Sequence, residues 1–360
     1  MKSHPENALN RLYDLYAGTD FPCSVHLDIT KRCNLNCIHC YQTHPDIEMN
    51  THTATRILDD LARNKVLIIG ISGGEPLANP DFFDIAQEAR ERNFAVRITT
   101  NGTLIDDLAA DRLADLGTGE AGISIYSLNK EIHEQITRSR GSHEKSMNAC
   151  RLLRKRNIPV RILCPMNAIN IYEIKDTYNW AVNEGFTISI DPWIMSGEPS
   201  VTVPVSLRVD ADEAVRVLEG IGMIPSPADV ETPEQSNRCG AGIISAMVTP
   251  EADLKLCALM RKSLGNLLEH SFSDLWVESD FRRKFVSRTY SQNDRCFGCD
   301  LRPFCRTCPA REEIERNNGD IEAYYSYMKR LAMGFSSAWD SLSDDETSIL
   351  MPQTSECENS

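Results

Sequence analysis

Residues 66–76 read VLIIGISGGEP. Val66–Ser72 is an unbroken aliphatic run, too short for a typical helix and closed by Gly73, Gly74 and Pro76, so it predicts a strand buried on both faces. Such a strand belongs to a parallel sheet covered by helices, and the flanking sequence continues the pattern in both directions. Upstream, Val25–Thr30 is a shorter β-rich run, followed by a cysteine-bearing loop and a helical stretch at 51–65. Downstream, 80–93 predicts a helix with Phe82, Phe83 and Ile85 on its apolar face, 94–99 a strand, and 106–116 a helix ended by Gly117. Strands at 121–126, 160–164 and 187–190 alternate with helices at 142–157 and 172–184. Six repeats in about 170 residues imply right-handed crossovers and fall short of the ~250 residues of a full eight-unit barrel. The expected fold is α/β, a partial (β/α)6 TIM-like barrel.

The pattern changes after Trp193. Residues 196–206 (SGEPSVTVPVS) read as a crossover, 211–220 as a helix and 224–234 as a proline-rich loop. Six cysteines then fall within 239–310, with one hairpin arm at 254–256 and helices at 272–285 and about 310–331. The expected organisation is an N-terminal extension (1–22), the barrel (23–210), a small cysteine-rich C-terminal domain (211–335) and a disordered acidic tail (336–360).

The full chain has 360 residues, enough to bury a core without disulfides. Its 52 acidic residues against 38 basic ones give a net charge of −14, which argues against a nucleic-acid partner. No stretch approaches the ~20 apolar residues of a membrane span, and residues 1–20 lack the apolar core of a signal peptide. The expected location is the cytoplasm, where the 13 cysteines stay reduced and available to metal. Nine are clustered: Cys33, Cys37 and Cys40, then Cys239, Cys257, Cys296, Cys299, Cys305 and Cys308. Cys150 and Cys164 read as small core residues.

Cys33-Asn-Leu-Asn-Cys37-Ile-His-Cys40 follows the first strand, on the side of an α/β sheet where ligands bind. Three thiolates in this spacing can hold one face of an iron–sulfur cube and leave its fourth iron without a protein ligand. A zinc site completed by His39 or His44 is the alternative reading of the same spacing. Gly73-Gly74-Glu75-Pro76 ends the second strand, and its glycines allow close backbone approach to a ligand.

Taken together, residues 23–195 resemble the radical S-adenosylmethionine (radical SAM) enzymes. The resemblance implies that Cys33, Cys37 and Cys40 hold a [4Fe–4S] cluster whose open iron binds the amino and carboxylate groups of S-adenosylmethionine. It implies that His39 lies near the adenine and that Gly73, Gly74, Glu75 and Pro76 bind the methionine amino group. Ser124 and Tyr126 fall where the family contacts ribose or carboxylate. Asn167 is a further cofactor-binding candidate, as is Arg138 or Arg140 for the carboxylate. The implied chemistry is reductive cleavage of S-adenosylmethionine to a 5′-deoxyadenosyl radical that abstracts a hydrogen atom.

Cys296-x2-Cys299-x5-Cys305-x2-Cys308 is dense enough to bind metal by itself, with a four-thiolate zinc site as the alternative. With Cys239-Gly-Ala-Gly and Cys257 before it, the layout resembles the SPASM domain, which carries one or two auxiliary [4Fe–4S] clusters. The resemblance implies Cys239, Cys257 and Cys308 on one cluster and Cys296, Cys299 and Cys305 on another. The sequence departs from the family in three places. The last gap of the block is two residues rather than three, Ala252 stands where glycine is usual, and the family's final cysteine is missing. Six thiolates cannot supply four ligands to each of two clusters. Either Asp320, Cys357 or another group completes them, or one cluster stays incomplete.

The implied function is modification of a ribosomally made precursor peptide by a cross-link, thioether or oxidation, with the auxiliary clusters as electron acceptors. The implied partners are that peptide or a small-molecule substrate, and an electron donor such as flavodoxin or ferredoxin. Residues 1–20 do not resemble a leader-recognition domain, which a separate peptide-recognition protein would then supply. The alternative is the same chemistry on a tetrapyrrole, a protein or a carbinol, and a third reading is a non-catalytic zinc protein. Asp191 and Asp253 are the right residue type for a catalytic base, but read as ordinary surface acids in so acidic a chain.

Overall fold

The computed structural model describes residues 5–196, 203, 205–225, 240–287, 299–305 and 307–342. An N-terminal helix α1 (Pro5–Ala17) precedes strand β1 (Ser24–Asp28) and helix α2 (Thr51–Arg63). Strand β2 (Ile68–Ser72), helix α3 (Phe82–Glu91), strand β3 (Ala95–Thr100) and helix α4 (Asp107–Asp115) follow. Next come strand β4 (Glu120–Ser124), helices α5 (Lys130–Thr137) and α6 (Ser142–Lys155), strand β5 (Val160–Leu163), helix α7 (Ile174–Asn183) and strand β6 (Thr187–Ser189). Side-chain chemistry sets the helix starts. Asn50 accepts from Thr53 N–H at the head of α2, and Asp106 from Ala109 N–H at the head of α4. Ala54, Ile57, Leu58 and Leu61 then form the buried stripe of α2, at helical spacing.

All six strands are parallel and lie in sequence order, β1 through β6, which is the partial (β/α)6 architecture. β2 is buried at Ile68, Ile69, Gly70 and Ile71, as its unbroken apolar run requires. Helix α5 was absent from the sequence expectation. It has eight residues, of which only His133, Ile136 and Thr137 are buried, too few to register as an apolar period.

After helix α8 (Ala211–Glu219), strands β7 (Ser245–Val248), β8 (Asp253–Lys255) and β9 (Gly265–Asn266) extend the same sheet. β7 pairs parallel to β1, and β8 and β9 continue antiparallel. The chain therefore divides into two compact units that are not linear: 1–207 with 239–287, and 208–238 with 288–360. The boundary differs from the expected 210/211 because hydrogen bonding to β1 draws 245–255 into the barrel unit. In the β7–β8 turn, Ala252 has φ 69°, the left-handed region where a glycine carries no steric cost.

Two expected helices are each broken in two. Helices α9 (Phe272–Val277) and α10 (Asp280–Val286) replace the one expected at 272–285, because Ser279 caps Arg282 N–H and starts a new helix. Helices α11 (Pro309–Asn317) and α12 (Ile321–Asp340) replace the one at 310–331, separated at Asn318 and Gly319, the latter at φ 77°. α12 also runs into the segment expected to be a disordered tail. Phe335 and Ala338 continue the buried stripe of Tyr324, Tyr327, Met328, Leu331 and Ala332, so the helix keeps its burial to Asp340. The rest of that expectation, 343–360, lies outside the described residues. Among the described residues no helix is long and apolar enough to cross a membrane.

Candidate active site

The carboxyl ends of β1–β6 and the segments that follow them enclose a cavity of about 330 Å³. The loop after β1 supplies Cys33, Leu35, Cys37, His39, Cys40, Tyr41, Gln42 and His44. Gly73 and Gly74 enter after β2, Thr99–Asn101 from the end of β3, and Ser124 and Tyr126 from the end of β4 and the residues just after it. Leu163, Pro165, Asp191, Trp193, Ile194 and Met195 complete the wall on the β5–β6 side.

The cysteine loop is held by the segment after β2. Gly74 N–H donates to Thr30 O at 2.9 Å and Glu75 N–H to Arg32 O at 2.8 Å. A Cβ on Gly73 would lie 2.3 Å from Thr30 O, and one on Gly74 2.3 Å from Arg32 O. The two glycines thus admit the backbone of the cysteine loop as well as lining the cavity. Lys31 forms an ion pair with Glu251, and Arg32 pairs with Glu48 and donates to Ala78 O.

Glu75 is fully buried and lies outside the cavity lining. Its carboxylate accepts from Thr100 Oγ1 at 2.6 Å, Asn101 N–H at 2.7 Å and Leu77 N–H at 3.2 Å, tying the end of β2 to the end of β3. Burial outweighs those bonds and pushes its pKa up to about 7. Pro76 is buried at the first position of a short 3₁₀ turn.

Tyr126 is held at both backbone groups. Its N–H donates to His133 Nδ1 at 3.3 Å, and its carbonyl accepts from Asn170 Nδ2 at 2.9 Å. Its ring sits between His39, edge-on at 4.9 Å, and His133 at 5.3 Å. His39, Gly73, Gly74, Ser124 and Tyr126 therefore meet the three cysteines in one cavity. Asn167 and Arg138 do not reach it. Asn167 is buried and accepts from Ile169 N–H, and Arg138 is an exposed residue ending α5 in the left-handed region, φ 53°. Arg140 is exposed as well.

The same cavity gathers residues that sequence reasoning passed over. Thr99, Thr100 and Asn101 could have been found as polar residues at the carboxyl end of a predicted strand. Asp191, set aside as a surface acid, is the one carboxylate among the described lining residues. Asp253 lies in β8, where it accepts from Asn266 Nδ2.

The donor set suits an iron–sulfur cluster. Burial and the neighbouring Cys40 and Cys33 push the Cys37 thiol up to about 12, and burial raises Cys33 as well. Bound iron would offset both effects, because a thiol that coordinates metal is held as the thiolate. Burial holds His39 neutral, lowering it to about 4, and its Nδ1 is buried with no hydrogen-bond partner among the described residues.

Of the second cysteine set, Cys257 follows β8 in the barrel unit. Cys299, Cys305 and Cys308 belong to the other unit, where Cys299 and Cys305 flank a 3₁₀ turn and Cys308 precedes α11. Cys308 N–H donates to the Tyr324 hydroxyl at 2.8 Å. Cys239, Cys296 and Cys357 lie outside the described residues. Asp320, raised as a completing ligand, accepts from Arg208 Nη1 at 2.6 Å. Cys150 and Cys164 are buried, as expected of core residues.

Residues 27–181 match the radical SAM superfamily, and 239–309 match the SPASM iron–sulfur cluster-binding domain. The chain is 32% identical to the Fe-coproporphyrin III synthase of Methanosarcina barkeri, covering 77% of this chain and 80% of that one. It is 27% identical to the mycofactocin maturase MftC of Mycobacterium tuberculosis, over 80% and 78% of the two chains. Streptococcus suis SuiB bound to S-adenosylmethionine has the same fold, with TM-score 0.67 and 18% identity over 85% of this chain and 77% of SuiB. SuiB bound to its precursor peptide SuiA gives TM-score 0.65 and 17% identity over 86% and 78%. The chain belongs to the radical SAM superfamily, in its SPASM-domain branch. It is an enzyme whose cofactors are a [4Fe–4S] cluster with S-adenosylmethionine and auxiliary iron–sulfur clusters in the SPASM domain.

Proposed function

We propose that this enzyme modifies a ribosomally made precursor peptide, forming a cross-link, a thioether or an oxidised residue. One observation carries the reading: among the described residues lining the cavity there is neither lysine nor arginine. The stretch after the last lining residue, 196–206, has none either. A porphyrin bearing several carboxylates would need cations to replace the water it loses on entry. A peptide segment needs an apolar wall and a few polar groups, which Leu163, Trp193, Ile194 and Met195 supply beside Asp191 and Thr99.

In this reading Cys33, Cys37 and Cys40 hold the cluster, and His39, Gly73, Gly74, Ser124 and Tyr126 surround S-adenosylmethionine. Cluster and cofactor, when bound, supply the abstracting radical. The chain positions the substrate side chain against the β5–β6 wall and keeps water from it. The auxiliary cysteines hold the clusters that take up the electron released on bond formation. A cytoplasmic flavodoxin or ferredoxin provides the reducing electron, and a separate protein presents the peptide.

Tetrapyrrole modification is the second reading, favoured by the 32% identity to Fe-coproporphyrin III synthase. Anaerobic incubation of the reconstituted enzyme with S-adenosylmethionine and a reductant separates the two. One arm holds any short peptide encoded beside its gene, the other an iron tetrapyrrole precursor of iron coproporphyrin. A peptide product lighter by the hydrogens lost in bond formation is expected. Modification of the tetrapyrrole with an unchanged peptide would overturn the proposal.

A further inference from the structure

Each of the three cysteine sulfurs at the barrel mouth has a polar neighbour, and those of Cys33 and Cys37 include groups from distant parts of the chain. Cys33 Sγ accepts from Leu35 N–H at 3.4 Å and from Asn101 Nδ2 at 3.9 Å. The Tyr126 hydroxyl stands 4.0 Å from Cys37 Sγ, and His44 Nε2 stands 3.4 Å from Cys40 Sγ.

The placement of Asn101 and Tyr126 is over-determined by bonds that do not use their sulfur-facing groups. Asn101 N–H donates to Glu75, its carbonyl accepts from Ser146 Oγ at 2.6 Å, and its Oδ1 accepts from Thr103 N–H at 2.9 Å. Only Asn101 Nδ2 remains for Cys33, and it is shared with Asn34 Oδ1 at 2.8 Å. Tyr126 is pinned through its backbone by His133 and Asn170, and its ring is braced by His39 and His133. Its hydroxyl is carried to Cys37 by this frame.

A cysteine that ligates iron is a thiolate, which accepts hydrogen bonds and cannot give one. Facing such sulfurs, an amide NH₂ and a phenol O–H act as donors. Donors to cluster sulfurs stabilise the reduced state, which carries one more negative charge, and so raise the reduction potential. We infer that Asn101 and Tyr126 are positioning residues that set the potential of the Cys33–Cys37–Cys40 cluster through hydrogen bonds to Cys33 and Cys37. The inference rests on the radical SAM reading of those cysteines and assigns Tyr126 a role other than binding ribose or carboxylate.

The test uses the full chain, reconstituted anaerobically with iron and sulfide. The cluster of interest is the paramagnetic signal that disappears when Cys33, Cys37 and Cys40 are replaced by alanine. Its midpoint potential is read by redox titration for wild type, Tyr126→Phe and Asn101→Asp, alongside iron content and equilibrium binding of S-adenosylmethionine. Tyr126→Phe removes the hydroxyl, with its hydrogen bond to Ser124, and keeps the backbone bonds and ring contacts that hold the residue. Its potential should move to a more negative value at full iron content. Asn101→Asp keeps the oxygen that accepts from Thr103 and exchanges the donor for a charge, so its shift should be larger in the same direction. Unchanged potentials in both variants would overturn the inference. So would loss of iron from Tyr126→Phe, or weakened cofactor binding at an unchanged potential. If the triple-alanine protein still forms 5′-deoxyadenosine, the cluster assignment itself fails, independently of both variants.

Discussion

A methyl group on Gly74 would lie 2.3 Å from the Arg32 carbonyl oxygen and 2.7 Å from that of Lys31. Both are backbone atoms one and two residues before Cys33, so the loop could not make room without moving its first ligand. Gly74→Ala should cost about 1–3 kcal/mol by overpacking. It should also lower the iron retained after reconstitution, as measured by iron and sulfide analysis beside a urea titration. His133 makes a different prediction. Burial lowers its pKa to about 3, while an unfolded imidazole titrates near ~6.5. The unfolded chain binds the proton first, so this contribution to stability is full above about pH 6.5 and is lost as pH falls toward 3. His133→Asn keeps an acceptor for Tyr126 N–H and should flatten the acid limb of stability. Urea midpoints of the reduced protein between about pH 7 and pH 4 would check this, and an unchanged slope would refute it.

Among the elements, the pairing of α8 with α12 depends on the absence of a side chain. A Cβ on Gly334 would lie 2.6 Å from Val215 Cγ2 and 3.1 Å from its Cβ, a branched side chain with little freedom to retreat. Gly334→Val should therefore destabilise the protein by about 2–3 kcal/mol, read from a shift in urea midpoint without a change in slope. The ends of these elements are local events. Ser271 and Ser279 each cap a short helix in what reads as one apolar stretch, and Asn318-Gly319 divides α11 from α12. All three signals are present in the sequence, and periodicity overruled them there because the apolar spacing runs on across each break.

For the molecule as a whole, the division of cysteines into two sets makes a clean separation testable. Replacing Cys33, Cys37 and Cys40 together by alanine should abolish formation of 5′-deoxyadenosine and leave the auxiliary iron of the SPASM cysteines in place. Iron analysis and product chromatography on the same preparation would check both halves. Retained cleavage, or loss of all iron, would contradict the assignment. The acidic balance of −14 and the absence of lysine and arginine from the described cavity lining act together. Binding there relies on metal ligation, hydrogen bonds and apolar contact rather than on a basic field.

The sequence by itself determined the βα alternation, the order of parallel strands, the position of the CxxxCxxC loop after β1 and the chemical class. The alternation and the place of the loop follow from local period and spacing, which neighbouring residues express without tertiary context, and the chemical class follows from the resemblance of those motifs to a known family. Only the tertiary structure decided that Glu75 ties β2 to β3 from behind the cavity, that Arg138 stays outside it, and that Asp191 and Asn101 belong to it. It also decided that β7 extends the sheet beside β1. Each of these depends on contacts between residues distant in the chain. A carboxylate's role depends on whether its neighbours are water or three N–H and O–H donors, and a list of residues carries no such distances.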